Sequence, residues 1–171
     1  ATACFYINPN SIGLSEPQQV AAFCRTRLEF PPAEFLDWND VNALQARGHE
    51  IGAHTMDHIN VAQTPIEAFR EDLGLSRQVL LERCGVARHF AYPYGRYFHF
   101  SAAAMAEVFK AGFDSCASAE RGCHTCEAPV AKDRLLLRRD QIVAGWPLAH
   151  NMYFIRRHAR LPHLASDEWP V

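Results

Sequence analysis

Apolar and polar positions alternate between two periods along this chain. Residues 3–7, Ala-Cys-Phe-Tyr-Ile, form a short apolar run with aromatic and β-branched content, which predicts a buried strand. Residues 17–28 and 37–47 carry the helical period. In the second of these Asp37 stands at the N-cap, Trp38, Val41 and Leu44 share one face, and Gly48 follows the end. Residues 50–53 predict the next strand. A helix then opens Thr64-Pro65-Ile66-Glu67, with Thr64 as cap, Pro65 at the first helical position and Glu67 closing a capping box. Ile66, Phe69, Leu73 and Leu80 supply its buried face, and Gly85 ends it. A strand at 89–92, a helix at 101–111, strands at 113–116 and 135–138 and a helix at 147–159 follow, and the segment from Pro162 reads as an irregular tail. Strands alternating with helices over short links predict parallel pairing through right-handed crossovers. The chain lacks both the glycine fingerprint and the Walker lysine of the nucleotide folds.

Length and composition then narrow the class. With 171 residues, one domain over residues 1–171 is expected. Hydrophobic residues at 49% and charged residues at 21% fit a globular chain rather than a disordered one. A formal net charge of −2 gives no basic field for nucleic acid, and no apolar run is long enough for a membrane span. The chain starts without Met, without a leader pattern and inside a strand, which reads as a cut rather than a natural end. Of six cysteines, Cys4 and Cys24 read as small buried hydrophobes. Cys116, Cys123 and Cys126, with His124 between the last two, admit a zinc knuckle, a disulfide or free thiols. With no second ligand pair at fixed spacing, free thiols are the expectation.

The candidate chemistry lies in residues 48–60, Gly-His-Glu-Ile-Gly-Ala-His-Thr-Met-Asp-His-Ile-Asn. His54 and His58 are four residues apart, about one helical turn, so their imidazoles point the same way and suit one metal ion. The competing reading is a chance pair on a solvated turn in a chain with nine histidines. In a barrel of parallel strands, sites form from loops at the C-terminal ends of the strands. His54 follows the strand at 50–53 and Tyr94 follows the strand at 89–92, so both project from one rim.

The histidine stretch, the capped helix and then Phe90-Ala91-Tyr92-Pro93-Tyr94-Gly95, in that order, resemble the NodB-homology polysaccharide deacetylases. The opening Ala-Thr-Ala-Cys-Phe-Tyr-Ile-Asn is similar to the strand that precedes the histidine motif in that family, and the resemblance covers roughly residues 1–115. It implies an α/β fold, a distorted and incomplete (β/α) barrel lacking its first strand. It also implies a divalent metal, usually zinc, bound by one Asp and two His. The reaction it implies is removal of an acetyl group from an N-acetylated sugar or polysaccharide. Residue by residue, His54 and His58 match the metal ligands and Thr55 the hydroxyl residue between them. Tyr94 matches the tyrosine whose backbone N–H binds the tetrahedral oxyanion, in a substrate-binding turn of Tyr92, Pro93, Tyr94 and Gly95. The family's late Leu-x-His motif, which carries the general acid, is matched by Leu148-Ala149-His150, although here it opens a helix. His124 and an arginine at the rim of a last strand over residues 135–139 are the alternatives.

This chain departs from the family pattern in two places. The Asp-Asp motif that supplies the third ligand and the base would precede residue 1, and no Asp-Asp pair occurs in the chain. Asp57 is a weak substitute, facing away from the histidines. The arginine common before the Pro-Tyr-Gly turn is Ala91 here. Three functions follow: a metal-dependent deacetylase, a catalytically inactive carbohydrate-binding relative, or a non-enzymatic zinc domain built on Cys123 and Cys126. The strand at 3–7 is expected to be an edge open to self-association. Unpaired cysteines lean towards a reducing compartment and the family towards the cell envelope, which leaves localisation open.

Overall fold

The computed structural model describes residues 2–122, 136–140, 142–143 and 145–160. Cys123, His124, Cys126, Leu135 and the tail from Pro162 lie outside the described residues. Five strands, β1 (Cys4–Ile7), β2 (Glu50–Ala53), β3 (His89–Ala91), β4 (Ser115–Ala117) and β5 (Leu136–Leu137), pair in sequence order and all in parallel. Parallel strands in sequence order need a crossover that always steps the same way. Right-handed crossovers then leave the connecting helices on one face and a concave face opposite, as in an open barrel.

The register shows both faces. Ile7, Ala53, Phe90, Cys116 and Leu136 are successive partners across the sheet. They share one core with Val41 of α2 (Trp38–Ala46), Phe69, Leu73 and Leu80 of α3 (Ile66–Cys84), and Val108 of α4 (Ala102–Lys110). Tyr6 is paired with Gly52 on the concave face. A Cβ on Gly52 would lie 2.6 Å from the Tyr6 ring and 3.0 Å from the His89 carbonyl, so only glycine lets the tyrosine lie flat there. Past β5, the Arg139 guanidinium lies 5.3 Å from the Tyr6 ring centroid, so the sheet curls until its first and last strands face each other. Among the described residues β1 is an edge strand, paired only with β2.

The expected elements are found, with three corrections. Residues 17–28 are not one helix: α1 (Pro17–Phe23) gives way to a π-helical turn over Cys24–Leu28, and Glu29 ends it at φ 52°. Asp37 caps α2, as its sequence predicts, and Asp40 completes a capping box with it. Thr64 does not cap α3, because its hydroxyl donates to the Asn60 carbonyl at 2.8 Å, and Pro65 takes the N-cap with no side-chain bond. The fourth strand is shifted to Ser115–Ala117, since Phe113 is drawn into the core, 3% exposed, ahead of it. α5 (Leu148–Ala159) matches the last helix. Among the described residues Cys4, Cys24, Cys84 and Cys116 are free, and burial pushes the Cys116 thiol far up, which leaves it inert. No described helix is long and apolar enough to cross a membrane.

One ion cluster ties α3 to α4. Glu107, 9% exposed, receives Arg70 at 2.7 Å and Lys110 at 3.1 Å, and these two cations hold its carboxyl down to about 2. A carboxyl depressed in the folded state stabilises it above the unfolded pKa, and that contribution is lost as pH falls through the folded value. The Glu107→Gln protein is therefore expected to melt below the parent at neutral pH. The gap should narrow between pH 4.5 and 2, as calorimetry across that window would show. A constant gap would mean that packing, not charge, supplies the stabilisation.

Candidate active site

The site begins where β2 ends. His54 donates its backbone N–H to Ile7 and leaves the sheet, and Thr55 and His58 then take left-handed backbone angles, φ 64° and 55°. A β-branched residue in that region costs about 1–3 kcal/mol and persists only when its surroundings hold it. Three supports do so here. Asn8 donates its side-chain amide to the Thr55 carbonyl at 3.0 Å and, by a shorter contact, to the His54 carbonyl. Both oxygens of Asp72, on α3, accept the Met56 N–H at 3.1 and 3.2 Å. The fully buried Thr55 turns its hydroxyl oxygen to the Ile59 N–H at 3.2 Å. Burial pushes the Asp72 carboxyl up to about 6 against the lowering effect of the Met56 and Ser76 bonds, with Asp57 raising it further.

Each imidazole is oriented by a carbonyl. His54 Nδ1 lies 2.6 Å from the Ala91 oxygen, and His58 Nδ1 lies 2.8 Å from the Arg27 oxygen. A carbonyl only accepts, so both Nδ1 atoms carry the proton and both Nε2 atoms keep a lone pair. The ring centroids are 5.1 Å apart. Burial holds His54 down to about 4, against the Ala91 bond and helped by His58 and Arg139. It therefore stays neutral where a free histidine would take a proton. Two oriented, neutral imidazoles with outward lone pairs fit a divalent cation such as zinc. Among the described residues no group of three or more His, Cys, Asp or Glu is arranged to hold one.

Tyr94 stands beside the pair, its ring 4.9 Å from His58. Its hydroxyl donates to the same Arg27 oxygen, at 3.2 Å. Tyr94 and Gly95 have φ 63° and 70°, and the Tyr94 N–H meets no acceptor among the described residues. Tyr92 and Pro93 are placed in the core: Tyr92 is 1% exposed, stacks on Phe100 at 4.2 Å, and donates its hydroxyl to the Gly95 carbonyl. They brace the turn, while Tyr94 is the member left partly open. His150 lies on the first turn of α5, its ring packed against Trp146 and Phe154, and no described contact joins it to His54, His58 or Tyr94. Asn8, Arg27 and Asp72 are supports that sequence reasoning missed. Asn8 at the end of the first strand was the one with a visible signal, as a polar residue closing an apolar run.

An open barrel of parallel strands carries its oriented histidine pair and tyrosine turn on loops at the C-terminal rim. The polysaccharide deacetylase family profile matches residues 2–114, and the chain belongs to that family. The fold is shared with the Streptococcus pyogenes deacetylase PplD, determined in complex with acetate, at TM-score 0.69 and 13% identity over 91% of this chain. It is also shared with the deacetylase domain of BpsB from Bordetella bronchiseptica, at TM-score 0.55 and 15% identity over 71% of this chain. The chain spans 59% and 55% of the lengths of those two structures. No curated protein matches it.

Proposed function

We propose that the protein hydrolyses the acetamide of an N-acetylated sugar or polysaccharide, with His54 and His58 as ligands of a divalent metal, zinc in the first instance. The observation that carries this reading is the pair of Nδ1–carbonyl bonds, which leaves two Nε2 lone pairs side by side next to the Tyr94 turn. A divalent cation held there would polarise the acetyl carbonyl and acidify the attacking water, which an unactivated amide requires. The chain's own groups do the rest. The Tyr94 N–H donates to the carbonyl oxygen as that oxygen gains charge. Ala91 and Arg27 hold the imidazoles still, and Asn8 and Asp72 hold the loop that carries them. The third ligand and the base are assigned to carboxylates from outside the described residues. His150 is the candidate to protonate the leaving amine.

Acetate release from N-acetylglucosamine oligomers by the zinc-loaded, full-length gene product tests the reading. His150→Ala should lower kcat much more than it changes KM. Near-normal turnover in that variant would transfer the acid role to another group. If no acetylated sugar releases acetate, the protein is a carbohydrate-binding relative, a reading favoured by the lack of a three-ligand group among the described residues.

A further inference from the structure

The rim carries a second concavity, beyond the histidines and the tyrosine turn. A cleft of about 460 Å³, within the size range of small-ligand sites, is lined by Arg96, Ala119, Arg121, Arg139 and Asp140. It adjoins the candidate site directly. Arg96 follows Gly95, and the Ala119 N–H donates to the Gly95 carbonyl at 2.8 Å. The lining comes from the ends of β3, β4 and β5, so a glycan crossing the rim from the histidines on β2 passes over it.

Its charge differs from that of the whole. The chain is net negative, at −2, yet three guanidinium groups meet here. The two carboxylates nearby are engaged: Glu120 with Arg96 at 3.2 Å, and Asp140 with the buried His158. Arg139 has no carboxylate in ion-pair range among the described residues. Its Nε donates to the Ser118 carbonyl at 2.6 Å while its central carbon lies over the Tyr6 ring. The guanidinium is thus fixed in place, and its remaining N–H donors meet no acceptor among the described residues. A fixed planar fork suits a carboxylate or a phosphate far better than a neutral hydroxyl.

We propose that this cleft is a subsite for an oxyanion, carboxylate or phosphate, carried on a sugar neighbouring the acetylated one. The proposal rests on the deacetylase reading for the glycan, but not for the anion. Calorimetric titration of the full-length, zinc-loaded protein tests it with three probes of equal length. They are an N-acetylglucosamine tetramer, an alternating N-acetylglucosamine–glucuronate tetrasaccharide, and the first tetramer carrying a 6-phosphate. At least one anionic probe should bind on the order of ten-fold more tightly than the neutral one, as a charge-assisted contact provides. Which one does identifies the source of the anion. The ratio should fall towards one as salt rises from about 50 mM to about 500 mM. Arg139→Gln and Arg121→Gln, checked for folding by melting temperature, should each shrink it. Equal affinity for all three probes, a preference that survives both substitutions, or no binding of any probe overturns the proposal. Acetate release is scored separately: anionic preference without acetate leaves the subsite and removes the deacetylase, and acetate without preference does the reverse.

Discussion

Alanine at both His54 and His58 is expected to strip zinc from the full-length protein and to lower acetate release on the order of 10³-fold, the size of a lost Lewis acid. The fold should survive, because both rings sit on the rim loop after β2 and that loop is held independently by Asn8, Asp72 and the Thr55 hydroxyl. Metal analysis after dialysis, together with circular dichroism, reads both halves of this expectation. A folded double variant that retains its zinc would place the metal elsewhere. The single variants should differ. Burial keeps His54 neutral down to about 4, so its loss removes the ligand that competes best with protons in mildly acidic buffer.

Gly95→Ala is expected to damage stability and turnover together. At φ 70° any side chain is strained, and the new Cβ would lie 2.5 Å from that of Ala119 and 2.7 Å from the Ala119 nitrogen. Relief requires the turn to move, which breaks the bonds that the Gly95 carbonyl accepts from Ala119 and Tyr92. A cost of about 2–4 kcal/mol combines backbone strain with overpacking. Displacing the adjacent Tyr94 N–H should lower kcat on the order of 10²-fold. Urea unfolding and steady-state kinetics on the same preparation check the two effects. A stable variant with normal kcat would remove Tyr94 from the oxyanion role.

The pattern of apolar residues was enough to read the alternating strands and helices, because the strands are short apolar runs and each long helix carries one apolar stripe. Only β2, β3 and β4 are largely buried, however, and Phe5 of β1 stays 37% exposed. The nearness of His54, His58 and Tyr94 was also legible from their places after two strands, but not for the reason of a helical turn. Residues 54–58 form no helix, and the left-handed angles of Thr55 and His58 bring the rings together. What could not be read depends on contacts distant in sequence. The Asn8 amide reaches 47 residues along the chain to Thr55, and His58 reaches 31 residues back to Arg27. No local periodicity encodes such bonds. Thr64 failed as a cap for a related reason: its hydroxyl had a nearer acceptor in Asn60. The arginine cleft was hidden because its members lie on three separate segments and the net charge of the chain conceals them.

The π-helical turn at Cys24–Leu28 has a consequence for how this chain can vary. One oxygen, that of Arg27, accepts from both His58 and Tyr94, and it is available because the last carbonyls of a helical segment have no partner within it. A π-helical turn contains one residue more than the α-helical turn it replaces. Removing a single residue from 24–28 would restore α-helical pitch, rotate that oxygen away and release the histidine and the tyrosine at once. Surface connections ordinarily accept changes in length. This one is set to the residue, so natural variants of the protein should differ in the identity of residues 24–28 long before they differ in their number.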